Sequence, residues 1–119
     1  MLGLDDIDYL DKTADGGRNT QAGTVRFDQE VDRIYLDVPS GLVIDDAALG
    51  RRINITFTGS HTAVVWNPWA ELSATMGDLG DDDYQRFVCV ETANAANDTI
   101  ELKPGGEHRL GAYYRVEYS

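Results

Sequence analysis

The sequence predicts an all-β chain folded as an antiparallel sandwich, and three observations carry that expectation. Short runs alternate apolar and polar residues with a period of two, as half-buried strands do. Clusters of Gly, Pro, Asn, Asp and Ser separate these runs at short intervals, giving seven or eight strands joined by turns. Helical periodicity is confined to one short stretch, residues 71–79, and Gly77 interrupts it. At 119 residues the chain has room for one domain with a real core, so the expected unit is 1–119.

In chain order, residues 2–12 scatter apolar side chains among four aspartates and read as an edge strand, and residues 13–23 as a surface loop. Residues 24–28 alternate cleanly. From Glu30 to Val38 the alternation sets Asp32, Ile34, Leu36 and Val38 on one face and Val31, Arg33, Tyr35 and Asp37 on the other, so Asp32 begins the more apolar face. A Pro-Ser-Gly turn leads to a short strand at 42–45 and a turn at 46–50. Residues 51–58 then point Ile53, Ile55 and Phe57 one way and Asn54, Thr56 and Thr58 the other. Residues 61–66 form the next strand, which Pro68 ends because it has no N–H for a central ladder. Strands are expected at 84–91 and 99–102, and the run from His108 to Tyr118 alternates most clearly of all.

With 21 acidic against 10 basic residues the net charge is −11, which repels phosphate backbones and anionic lipid surfaces. No nucleic-acid or membrane partner is expected. Cys89 is the single cysteine, so no internal disulfide can form, and its apolar neighbours make it read as a small core residue. No run approaches a membrane span and the first residues lack a signal-peptide pattern; the expected location is cytoplasmic.

Glu91 closes an apolar β-run on a face shared with Phe87 and Cys89, a setting suited to general-base work. Its plainer reading is a strand-end carboxylate that reaches water or pairs with an arginine, and Asp32 poses the same choice. Trp66 and Trp69, with Asn67 in the turn between them, are candidate ligand contacts, because an aromatic face covers the C–H surface of a sugar ring well. Core packing is the alternative. His61 and His108 lack metal-ligand spacing, and Asp81-Asp82-Asp83 lacks the layout of a calcium loop. No metal or cofactor is assigned, and no phosphate loop or nucleophile triad is present.

Several motifs in one order resemble a known family. Glu30-Val31-Asp32-Arg33-Ile34-Tyr35, Val64-Val65-Trp66-Asn67-Pro68-Trp69, Met76-Gly77-Asp78 and Phe87-Val88-Cys89-Val90-Glu91-Thr92-Ala93 are similar to the C-terminal part of hexose-6-phosphate mutarotases, the glucose-6-phosphate 1-epimerases of the aldose 1-epimerase superfamily. Gly3-Leu4 and Tyr9-Leu10-Asp11-Lys12 extend the likeness over nearly the whole chain. The resemblance implies part of a galactose mutarotase-like super-sandwich, with Glu91 as the general base and Asp32 as a sugar contact. In that family the base takes the proton of the anomeric hydroxyl while a histidine protonates the ring oxygen. Those histidines, and the arginines that hold a sugar phosphate, belong to an N-terminal half that this chain does not match, and His61 and His108 are not given their role.

The resemblance therefore implies a truncated, mutarotase-like carbohydrate-binding domain for a hexose or hexose phosphate, weak or inactive as an epimerase. It also implies a homodimer in which two copies cover each other's open face. The alternatives are an epimerase completed by dimerisation or by a second chain, and a non-catalytic protein-interaction domain.

Overall fold

Alternation becomes eight strands: β1 (Tyr9–Asp11), β2 (Gly17–Asn19), β3 (Val31–Tyr35), β4 (Gly41–Asp46), β5 (Arg51–Thr58), β6 (Thr62–Asn67), β7 (Cys89–Ala93) and β8 (Gly111–Tyr118). The computed structural model describes residues 1–119. The strands form two antiparallel sheets, one of five strands in the order β2-β1-β3-β6-β7 and one of three in the order β4-β5-β8. The only α-helix, α1 (Trp69–Ser73), is a single short turn after β6. It is too short and too polar to cross a membrane, and no other helix does so.

The core lies between the sheets. Val31, Tyr35, Ala63, Val65 and Val90 from the larger sheet meet Leu42, Ile55 and Phe57 from the smaller, with Met1, Leu4 and Val25 filling one side. β5 follows its alternation, with Ile55 and Phe57 buried and Thr56 and Thr58 exposed.

β3 reverses the expected faces. Val31, Arg33 and Tyr35 are buried, and Asp32 and Ile34 are half-buried on the outer side. Arg33 can sit inward because its guanidinium lies 4.2 Å from the centre of the Tyr9 ring and donates to the Tyr35 hydroxyl and to Gln21 Oε1, each at 2.9 Å. Leu36 and Val38 are buried as well, but β3 has already ended, and Asp37, with φ of 48°, breaks the period.

Three expected strands are not formed as read. Residues 24–28 run without a ladder: Val25 is buried, and its carbonyl accepts from the terminal amine of Met1 at 3.0 Å instead of from a neighbouring strand. Asp83–Arg86 is a 3-10 turn, so the strand that carries Glu91 starts only at Cys89. Residues 99–102 are exposed and irregular. Their apolar side chains, Ile100 and Leu102, have no sheet to pack on.

Candidate functional site

The register of the five-stranded sheet brings three of the expected residues to one face. Asp32 on β3 lies opposite Trp66 on β6, and Trp66 lies opposite Cys89 on β7. The next row runs Arg18, Leu10, Ile34, Val64, Glu91 across all five strands. Residues directly opposite on adjacent strands share a face. Asp32, Trp66 and Glu91 therefore stand together on the side of the sheet turned away from the core.

Two strand spacings and a two-residue offset separate the Cα atoms of Asp32 and Glu91 by about 12 Å, with Trp66 between them. The floor is apolar yet half-buried, made of Leu10, Ile34, Val64, Trp66 and Cys89, while Glu91 is exposed. Phe87 packs on Trp66 with ring centres 5.8 Å apart, which fixes the indole from one side. An apolar floor with carboxylates at opposite corners suits a ligand with C–H faces and hydroxyl edges, since carboxylate oxygens accept hydroxyl protons.

The charges on this face have few counterions. Arg18 is held by Asp8 at 2.5 Å, and neither Asp32 nor Glu91 takes part in an ion pair. Cys89 reports the local field: burial pushes its thiol above the ordinary value, and the Glu91 carboxylate pushes it further. The thiol is thus a protonated, half-buried member of the outer floor rather than a core residue.

Asn67 and Trp69 are not brought to this face. Asn67 is buried and points to the core side, where its amide donates to the carbonyls of Tyr84 (2.9 Å) and Phe87 (2.8 Å) and its Oδ1 accepts the Trp69 amide at 2.8 Å. This Asx turn supports the left-handed backbone of Trp69, φ 59°. The Trp69 ring stands edge-on to Tyr84, 4.9 Å between centres, and lines an open groove of about 930 Å³ at the mouth between the sheets. Asn67 therefore shapes the connection from β6 to β7 with hydrogen bonds that are already used.

The end of the outer face beyond Glu91 is closed by a polar cluster that the sequence did not single out. Asp98 Oδ2 accepts from the His61 amide (2.7 Å), Asn94 Nδ2 (3.1 Å) and the Thr62 hydroxyl (3.4 Å). Burial works to raise the Asp98 carboxyl, but these donors outweigh it and hold the group below its ordinary value. His108 Nε2 lies 2.9 Å from the Gly59 carbonyl and 3.0 Å from Asn94 Oδ1, two acceptors that fix this nitrogen as a donor. The signal available was the polar loop at 93–98, whose bonds linking Asn94, Ala95 and Asp98 to Gly59, Thr62 and His61 span 33 to 37 residues of chain.

A three-stranded antiparallel sheet facing a five-stranded one is the architecture of a mutarotase-like sandwich. The crystal structure of a "putative mutarotase" from Salmonella typhimurium superposes with a TM-score of 0.83 at 35% identity, covering 98% of this chain and 39% of that one. A curated relative from Cenchrus ciliaris, named "Putative glucose-6-phosphate 1-epimerase", is 42% identical over 108 residues, 90% of this chain and 32% of its own length. One of the same name from Salmonella typhimurium is 40% identical over 99 residues, 81% of this chain and 34% of its own length. Residues 3–115 match the aldose 1-epimerase family, and the chain belongs to that family. It spans about a third of the length of the curated relatives it matches.

Proposed function

We propose that the outer face of the five-stranded sheet binds a hexose, with Trp66 beneath the ring and Asp32 and Glu91 accepting its hydroxyls. The observation that carries this reading is the register itself, which sets an aromatic floor between two carboxylates that have no ion-pair partner. Glu91 is the residue suited to take the anomeric proton. No histidine of the same face is placed to protonate the ring oxygen: His108 is engaged by Gly59 and Asn94, and His61 lies beyond the strand end. The chain alone is therefore a carbohydrate-binding domain with weak or no epimerase activity. Since Arg18 is the face's one cation and Asp8 already holds it, a neutral hexose fits better than a hexose phosphate.

The enzyme reading draws support from exposed Glu91, which is open to a complementary acid from a second copy or another chain. Association of two copies is part of the proposal, supported by exposed Leu110, Tyr114, Val116 and Tyr118. The acidic surface favours a partner other than nucleic acid, and the single free thiol suits a reducing, cytoplasmic setting.

The test is thermal unfolding in rising glucose, galactose or glucose 6-phosphate, beside proton exchange between their anomers. A ligand that binds only the folded state raises the melting temperature. The proposal expects a saturable rise that Glu91→Gln and Trp66→Ala remove, with exchange at or near the uncatalysed rate. No rise with any of the sugars would leave the interaction-domain reading. Fast exchange abolished by Glu91→Gln would establish the enzyme.

A further inference from the structure

We propose that β8 is a self-complementary edge on which a second copy of the chain docks antiparallel, with Val116 opposite the partner's Val116. This specifies the surface for the homodimer proposed above and rests on that reading for its occupant.

β8 pairs on one side only, with β5. The Ser119 amide donates to the Gly50 carbonyl at 3.0 Å, which fixes the phase of the ladder: odd-numbered residues turn their main chain toward β5. Ala112, Tyr114, Val116 and Tyr118 therefore direct their N–H and C=O groups to the open side. The other sheet edges are shorter or covered. β2 has three residues and β7 has five, and β4 is bridged by Leu2 to Val43 through hydrogen bonds of 2.7 and 3.1 Å. β8 has eight residues and none of the proline or bulge devices that protect such edges.

The side chains select one register. On the core-side face Tyr114, Val116 and Tyr118 continue the rows of Ile55, Ile53 and Arg51, yet they are 60%, 44% and 74% exposed. On the opposite face Arg115 and Glu117 are exposed, and they contact each other. A two-fold centred on position 115 sets Arg115 against the partner's Arg115, and one centred on 117 sets Glu117 against the partner's Glu117. Like charges directly opposite oppose pairing. Centring on Tyr114 leaves both charges without a counterpart. Centring on Val116 sets Arg115 opposite the partner's Glu117 and Glu117 opposite the partner's Arg115. The same choice places Tyr114 against the partner's Tyr118, and these even-numbered pairs exchange both N–H···O bonds. The result is a closed, isologous pair whose sheet has no further β8 edge for a third copy to join.

Sedimentation equilibrium over a concentration series tests this on the wild type, Arg115→Glu, Glu117→Arg and the double swap, with circular dichroism confirming that each folds. The wild type is expected at twice the mass of one chain. Each single reversal changes two contacts at once and should weaken the dimer roughly tenfold or more, and the double swap should restore it. Val116→Pro, which removes an N–H facing only the open edge, should also give monomer. A wild type that stays monomeric overturns both this proposal and the homodimer reading. A dimer indifferent to the reversals and to Val116→Pro overturns the β8 edge alone and places the contact elsewhere.

Discussion

Replacing Arg33 by methionine isolates the least expected interaction in the core. Methionine keeps most of the stem's packing and removes the guanidinium. In the wild type that group stacks 4.2 Å over Tyr9 and donates to the hydroxyl of Tyr35, whose side chain is fully buried. Burial raises the pKa of that hydroxyl, and the bond from Arg33 partly offsets the rise. Losing the cation–π contact costs about 0.5–2 kcal/mol. Leaving the buried Tyr35 hydroxyl without its partner costs about 1–3 kcal/mol. The guanidinium no longer has to be desolvated, which returns part of the loss. The net destabilisation is therefore about 2–4 kcal/mol, on the order of 10 °C in melting temperature for a chain of this size. Urea unfolding should show a lower midpoint with an unchanged slope. In a Tyr35→Phe background the cost of Arg33→Met should fall by about 1 kcal/mol or more, because no hydroxyl is left to orphan. A loss below about 1 kcal/mol, or strict additivity of the two changes, would refute the role given to Arg33.

Cys89 serves as a reporter of the outer face. Glu91→Gln removes one of the two causes that raise its thiol, so alkylation near pH 8.5 should quicken roughly twofold or more, and a bound hexose should slow it in the wild type. An alkylation rate indifferent to both would separate Cys89 from Glu91 and from the ligand. Asp98 gives the pH dependence. Its folded carboxyl lies below the ordinary 3.8, so its contribution is complete above that pH and is lost as the pH falls through the folded value. The stability gap between wild type and Asp98→Asn should hold near about pH 5 and change toward about pH 3; a constant gap across that range contradicts the assignment.

Where side chains alternate against a single buried face, the sequence was sufficient. β5 and β6 appear almost at the expected limits, because Ile55, Phe57, Ala63 and Val65 are all drawn to one side by burial alone. β3 was misread because two charged residues sit side by side, and alternation cannot say which of Asp32 and Arg33 finds partners inside. The long, planar guanidinium reaches Tyr9, Tyr35 and Gln21, none of them adjacent to it in the chain. The misreading leaves Asp32 on the candidate face all the same, because that face is the outer one. Residues 84–86 look like strand, but Asn67 takes the Tyr84 and Phe87 carbonyls and holds that stretch as a turn. The same commitment keeps Asn67 off the candidate face. Trp66 and Trp69 flank one motif, yet only Trp66 shares a register row with Asp32, a distinction set by the ladder and invisible in the local sequence.

The proposed hexose lies on the outer face against Trp66. The most direct measurement is the pair of tryptophan indole N–H resonances followed during titration with glucose, galactose or glucose 6-phosphate. Trp69 lines the groove between the sheets and acts as the internal control. The Trp66 resonance should shift saturably with one of these sugars while Trp69 stays in place, and Asp32→Asn or Glu91→Gln should weaken the response. If neither resonance moves, or if Trp69 alone responds, the outer face of the five-stranded sheet does not bind the sugar.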